Sequence, residues 1–344
     1  MHDDIATAID VVLDYHQRTK HHLNRYARAL GYMDWENQPN PFRHYHSTSI
    51  IPLEHGDDAL GPLYRELFEG HIPPERVDFA SISQLFYYSM ALSAWKQIPG
   101  GQAWSLRVNP SSGNLHPTES YLIIGQQCSS HIPSGLYHYL PYQHALEKRR
   151  AFDSVLWNLI EKQIPKDGFL VGLSSIYWRE TWKYGERGFR YCHHDVGHAI
   201  GAFTIAAISL GWHVEIVDTI TDDDASVFLG CDHQQGIEAE HVDCLIIVYP
   251  ESKSSKPKRT RLCLDKDFMI SLKNIPCIGK ENRLSNLHHD WPIIEKVSSA
   301  CRKKEGVDFC DQVKGVSREN SQSFFSKSEK TAFQIIRQRR SAVS

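Results

Sequence analysis

The chain has 344 residues, 41% of them apolar, and a formal net charge of −3 from 38 Lys and Arg against 41 Asp and Glu. That length can bury a sizeable core as one large domain or two modest ones. The near-balanced charge argues against a core built to track nucleic-acid phosphates, which carries a clear basic excess. Apolar runs such as Leu245-Ile246-Ile247-Val248 fall far short of the roughly 20 residues a membrane helix needs. The acidic start Met1-His2-Asp3-Asp4 lacks the basic opening and apolar stretch of a secretory signal, so the expectation is a cytoplasmic protein with no membrane contact. The eight cysteines include no C-x-x-C pair, which points to free thiols in a reducing compartment.

In chain order, residues 5–31 read as a helical arm, with Ile5, Ile9, Val12 and Leu13 at helical spacing and a basic, His-rich continuation. Trp35 to Pro52 is rich in proline, aromatics and histidine without a period, and so reads as a segment that wraps over the core or a partner; residues 1–52 form this first unit. Leu85, Tyr88, Leu92 and Trp95 predict an amphipathic helix over 83–96, ended by Pro99-Gly100-Gly101. Strands are predicted over 121–125, 136–139 and 145–148, a helix over 155–164 and a strand over 169–176. His194 to Leu210 reads as a helix with one apolar stripe and small residues elsewhere, stopped by Gly211. Strands over 212–217 and 244–249 flank an acidic Thr221-Asp222-Asp223-Asp224 turn that opens a short helix.

From 251 the composition becomes polar and basic, and residues 251–330 read as a linker or a tail of poor order.

Two motifs carry chemistry. Arg107 to Glu119 places Ser111, Ser112, Gly113 and Asn114 between Pro110 and Pro117, ahead of the apolar run Tyr121 to Gly125. Such a turn is rigid and presents amides and hydroxyls to a polar ligand edge. About seventy residues on, Trp182-Lys183-Tyr184-Gly185-Glu186-Arg187-Gly188-Phe189-Arg190-Tyr191 gathers a lysine, a tyrosine and two arginines around two glycines. A lysine beside a tyrosine can move protons and hold a developing anion, and arginines suit a phosphate. A basic surface loop with packed aromatics is the plain alternative for these ten residues.

Taken together, the two motifs resemble those of the nitroreductase superfamily, and within it the SagB-like dehydrogenases that include azoline oxidases; the likeness covers roughly residues 80–250. It implies an α+β fold with an antiparallel-dominated central sheet covered by helices, placed here over residues 75–250. It implies FMN as cofactor, with Pro110, Ser111, Ser112, Gly113 and Asn114 along the ring and ribityl chain, and Arg107 as a candidate for the ribityl or phosphate end. Lys183 and Tyr184 match the family's catalytic pair. Hydride leaves the substrate for the flavin while a basic group takes a proton, and Arg187 and Arg190 are the cations expected to tune Lys183 or to substitute at the phosphate. The two motifs are expected to converge with a slot between them wide enough for three fused rings.

The family's arginine-arginine-serine phosphate-binding opening is absent before residue 80. Its match is Arg339-Arg340-Ser341, so residues 331–344 are expected to open a second nitroreductase-like domain, with this chain the first half of a tandem protein. The resemblance also implies a homodimer or pairing with a second flavin domain, and a small-molecule or peptide-borne substrate. Two rival readings stand beside it. His194 and His198, at i and i+4, could begin the site of a metal-dependent hydrolase; alternatively, loss of the early phosphate arginines could leave a non-catalytic flavin-domain scaffold.

Overall fold

A computed structural model describes residues 2–69, 72–125, 131–250, 260–305 and 328–341. The first helix, α1 (His2–Thr19), stops well short of residue 31. Just beyond it Leu23 and Tyr26 are 99% and 79% exposed, and Leu30 packs singly against the cluster of Tyr15 and Phe189. The wrapping segment contributes β1 (Tyr45–His46) and β2 (Ile50–Pro52), and a single turn, α2 (Glu66–Glu69), follows.

α3 (Phe79–Tyr87) begins at a reciprocal cap: Asp78 accepts from the Ser81 amide at 3.0 Å, and the Ser81 hydroxyl accepts from the Asp78 amide at 2.9 Å. The helix predicted to run to Lys96 ends here. Leu92 and Trp95 instead lie in β3 (Leu92–Gln97), hairpinned with β4 (Ala103–Arg107). The Pro-Gly-Gly loop, with Gly100 at φ 76°, turns a hairpin as readily as it ends a helix.

The meander β5 (Thr118–Ile124), β6 (Gly135–Leu140) and β7 (Ala145–Ala151) follows, and then α4 (Ser154–Glu161), capped by Asp153. β8 (Phe169–Ile176) is buried along its length and passes directly into α5 (Tyr177–Tyr184), which Gly185 terminates at φ 53°. α6 (Gly188–Ser209) starts earlier than its apolar stripe indicates. A Cβ at Gly188 would lie 2.4 Å from Thr181 Cγ2, so glycine permits the close approach of α6 to α5. β9 (Trp212–Val217), α7 (Asp222–Leu229) with its Thr221 cap, and β10 (Glu240–Pro250) complete the core; α8 (Lys266–Lys273), β11 (Lys280–Glu281), α9 (Pro292–Cys301) and α10 (Ala332–Gln338) come after it.

The central sheet has seven antiparallel strands in the order β2-β7-β6-β5-β8-β10-β9. Strand alternation sends Leu122, Tyr137, Val171 and Ile246 to one face, against α3 and α6 through Phe86, Ala199 and Phe203. Tyr121, Ile123, Leu170 and Ile247 face the other way, onto α4, α7 and α8 through Trp157, Phe228 and Phe268. The chain therefore has the expected α+β fold with a helix-covered antiparallel sheet. No described helix is long and apolar enough to cross a membrane.

The later segments have more structure than composition indicates. Phe268 and Leu272 of α8 complete the second core face, and Ile294 and Val297 of α9 pack with Tyr15 and Phe189. A residue spaced singly in sequence can still bury against a face already formed, and this pattern leaves no period to read. Residues 251–259 and 306–327 of the expected linker lie outside the described residues. α10 packs against this domain, with the Phe333 ring stacked on Tyr88 at 3.8 Å between centroids.

At one end of the sheet, ionisable groups are buried in pairs. Glu240 accepts from Tyr45, Tyr121 and Ser174 at 2.6–2.7 Å and faces the Arg43 guanidinium. His138 lies between Glu147 at 2.9 Å and Glu119 at 3.1 Å, and Arg179 pairs with Glu119. Burial disfavours the imidazolium, but its hydrogen bonds to the two carboxylates outweigh this and raise the His138 pKa to about 9. Burial likewise opposes the Glu119 carboxylate, yet Arg179 and His138 bring its pKa to about 2.

Because the folded pKa of His138 is above the ordinary 6.5, its stabilising contribution is complete below that value and lost as pH rises through about 9. The expected outcome is that His138→Gln is destabilised by roughly 3 kcal/mol at the low end of this window, with the gap to the native chain narrowing towards its upper end. Thermal unfolding across that range checks it, and a gap independent of pH would refute the buried imidazolium.

Candidate functional site

The serine-glycine turn is held in shape by its own side chains. Ser111 Oγ accepts from the His116 amide at 2.8 Å, Asn114 Nδ2 donates to the Ser105 carbonyl at 2.8 Å, and Asn114 Oδ1 meets His116 Nε2 at 2.9 Å. Asp195, on α6, accepts from the Ser112 amide at 2.9 Å and 3.0 Å and from its hydroxyl at 2.9 Å. Burial raises the Asp195 pKa, and the bonds from the two serines oppose that rise. The side chains of Ser111, Ser112 and Asn114 thus have internal partners, while Pro110 is half-buried and Gly113 is exposed.

Gly113 sits at φ 59°, and Lys183 and Tyr184, in the last turn of α5, close on it. A Cβ built there would lie 2.6 Å from Tyr184 Oη and 3.1 Å from Lys183 Nζ. The two motifs therefore converge, as expected, but they touch. The expected slot between them is absent, and in its place is an open shelf formed by the bare Gly113 backbone, the amine and the phenol. None of the three cavities of about 700, 990 and 710 Å³ is lined by these residues. Burial, then Glu180, Tyr191 and Asp195, push the Tyr184 pKa up to about 12, so the phenol is held protonated.

Three arginines have tasks other than those expected. Arg107 is 3% exposed and donates to the Pro41 and Thr118 carbonyls; burial lowers its pKa to about 10. It turns into the core, away from the shelf, because a strand alternates its side chains and this position faces inward. Arg187 donates to the Thr19 carbonyl and to Tyr191, and Arg190 to Thr19 Oγ1 at 3.1 Å. Both hold the end of α1 against α6, helped by Arg18 pairing with Glu186.

The cations beside the turn come from the chain's end. Arg337 donates to the Leu92 carbonyl, Arg339 to that of Val108 at 2.8 Å and Arg340 to that of Ser93 at 3.3 Å. Among the described residues no carboxylate pairs with any of the three. Sequence reading caught the Arg-Arg-Ser pattern but assigned it to another domain, since only folding brings residue 339 to residue 108. Glu180 and Asp195 gave no signal while the lysine-tyrosine segment was read without its helix.

The metal reading fails on geometry. His194 and His198 lie exposed on α6, His198 being 3.9 Å from Asp195, and among the described residues no group of three or more His, Cys, Asp or Glu could hold a metal ion.

The shelf lies at the end of the central strands β5 and β8, between the turn that leads into β5 and the helix that follows β8. No family model matches the chain. A Methanocaldococcus jannaschii protein that bears the name nitroreductase is 31% identical over 106 residues, 30% of this chain and 52% of that protein. A solved structure from Anabaena variabilis, also named a nitroreductase, aligns with TM-score 0.51 and 20% identity over 78% of this chain and 55% of its own. A chain of the E. coli microcin synthetase McbBCD complex aligns at TM-score 0.41 and 15% identity over 74% of this chain and 95% of its own, too distant to carry an argument. The chain is thus similar to a nitroreductase over 106 residues of sequence, and its fold is nitroreductase-like. It spans about half the length of the curated relative it matches and of the Anabaena structure.

Gly113→Ala is expected to cost roughly 1–2 kcal/mol from the left-handed backbone, plus the displacement of Tyr184 Oη. In a double-mutant cycle with Tyr184→Phe, measured by denaturant unfolding, the two changes couple by about 0.5 kcal/mol or more. Simple additivity would mean that the phenol does not press on the turn.

Proposed function

We propose that this chain is an FMN-dependent oxidoreductase domain of SagB-like type, transferring hydride between a small-molecule or peptide-borne substrate and the flavin. The observation that carries this reading is the convergence of Gly113 with Lys183 and Tyr184, two motifs far apart in sequence, at the end of the central strands β5 and β8 of a nitroreductase-like sheet. The residues suit the cofactor. A glycine with no Cβ lets the amine and phenol close on the turn backbone, the turn is rigid before any ligand arrives, and Arg339, which has no carboxylate partner among the described residues, donates to the carbonyl two residues before Pro110. Arg339 and Arg340 would hold the phosphate by charge-assisted bonds, in place of Arg107, Arg187 and Arg190. Pro110, Ser111, Ser112, Gly113 and Asn114 would border the ring and ribityl chain mainly through their backbone.

Bound there, FMN supplies the hydride acceptor and donor. Lys183 and Tyr184 do the rest. The phenol, held protonated, orients the substrate heteroatom and can give it a proton; the Lys183 amine, 3.1 Å from where a Cβ on Gly113 would sit, stabilises negative charge developing beside it. The shelf is open, so water is excluded only when something covers it. A second copy of the chain or a second flavin domain would do so. The face of α6 leading from the site is suited to that contact, since nothing lies within 4 Å of a Cβ at Gly197 or Gly201 and Ile205 and Ile208 are 45% and 38% exposed.

The purified chain is expected to be yellow and to show an oxidised-flavin spectrum. Replacing Arg339 and Arg340 together by alanine should weaken FMN roughly ten- to hundredfold while leaving riboflavin nearly unchanged, measured by fluorescence quenching. Lys183→Ala and Tyr184→Phe in the loaded protein should each slow turnover by about 10²- to 10⁴-fold. A protein that binds flavin yet is never reduced or reoxidised would instead be a scaffold, and one that binds no flavin would end the reading.

A further inference from the structure

Glu180 lies on α5, three residues before Lys183 and four before Tyr184, so the three side chains share one helix face. It is fully buried, and neither carboxyl oxygen has a hydrogen-bond partner. The other buried glutamates among the described residues, Glu119, Glu147, Glu186 and Glu240, are each bonded on both oxygens or to several donors. An ionised carboxylate left so bare would cost several kcal/mol or more, and the chain has placed it directly behind its candidate catalytic pair. The groups that face it are Lys183 and Tyr184 from α5, and Asp195 and Cys192 from α6.

We propose that Glu180 is a positioning acid of the site, a neutral carboxyl that returns a proton to Tyr184 each time the phenol has given one up. The inference rests on the flavin reading above and gives it a direction, because an acid stored protonated serves the half-reaction that consumes a proton. Burial first, and then the facing Asp195, push the Glu180 pKa well above the usual carboxylate range, against a smaller pull from Lys183.

With hydride supplied to an acceptor by the reduced flavin, Tyr184 Oη gives its proton to the oxyanion developing on that acceptor. The O–H bond of the phenol re-forms with the proton of Glu180, and the Glu180 carboxylate takes one proton from solvent. Neither oxygen of Glu180 bonds to Tyr184 at rest, so the transfer requires the two side chains to close to hydrogen-bond reach or a water to enter between them. Glu180 touches neither substrate nor cofactor in this scheme, and Tyr184 remains the group that does. The substrate class that follows is a two-electron acceptor gaining a proton on oxygen or nitrogen, such as a quinone.

Glu180→Gln has the shape of the neutral acid and cannot release its proton. In the infrared spectrum of the flavin-free protein near neutral pH, the native chain is expected to show a protonated carboxylic-acid band that the variant lacks. A raised folded pKa means that stability is complete below the ordinary 4.5 and falls as Glu180 is made to ionise, so thermal stability should decline with rising pH more in the native chain than in Glu180→Gln. In FMN-loaded protein, photoreduced and mixed with a quinone, the variant should reoxidise roughly tenfold or more slowly. It should also lack the alkaline limb of the native pH profile.

A carboxylate band in place of the acid band, or the same alkaline limb in both proteins, overturns the inference and leaves the flavin reading standing. A chain that binds no flavin removes that reading and the inference with it, even where the acid band is present.

Discussion

The grip of Asp195 on the Ser112 amide fixes the relation between the two parts of the chain that matter most. One end of it belongs to the long helix that carries the core through Val196, Ala199 and Phe203; the other is the backbone of a turn whose apolar anchor, Leu115, packs with Ile176, Trp178 and Trp182. Charge-assisted bonds to a backbone amide are short and directional, so the turn cannot drift along α6. Once it is fixed, Gly113 meets whatever α5 presents, and Gly188 sets how near α5 comes. The amine and phenol arrive at the turn because two helices and one strand are each packed at a distance that a single added carbon would change.

Buried charge is handled in opposite ways within one molecule. At the end of the sheet each carboxylate has a guanidinium, an imidazolium or several hydroxyls, which offsets a desolvation cost that would otherwise be large. These contacts also hold the wrapping segment: Arg43 donates onward to the carbonyls of Asn282 and Glu238, so residues before and after the core close over it together. At α5 the compensation is withheld from Glu180. A chain able to satisfy Glu119, Glu147 and Glu240 has the means to satisfy one more, and an unpaired acid beside Lys183 and Tyr184 is most simply a group kept for its proton.

Much of the fold was legible in the sequence, and the parts that were not share a cause. Strands such as 169–176 were readable because a buried strand is a short apolar run wherever it occurs. The stretch 83–96 was misread because Leu85, Tyr88, Leu92 and Trp95 keep helical spacing through the point where the chain turns into a hairpin; periodicity cannot mark a boundary that a Pro-Gly-Gly loop imposes from beyond it. For the site, residue types were legible and their neighbours were not. Lys183, Tyr184 and Gly113 could be named from local pattern, since each contact they make runs through backbone shape. Asp195 and Glu180 could not, because an acidic residue in a helix has no sequence mark that separates a clamp or a stored proton from a solvated side chain.

The arginines show the same limit most sharply. Arg107, Arg187 and Arg190 stand beside the motifs in sequence, and Arg339 and Arg340 stand far away. An arginine is available to an outside anion only if its own donors and charge are not already used. Arg107 is spent on two core carbonyls, and Arg187 and Arg190 on the end of α1. Arg339 and Arg340 also donate to carbonyls, but carbonyls carry no net charge, so the two guanidiniums remain uncompensated on an exposed edge. The Arg339 pKa is lowered first by burial and then by Arg340, and an arriving dianion would relieve that repulsion. Proximity in sequence selected three arginines that hold the protein together, while charge left over after folding selects two that can hold something else.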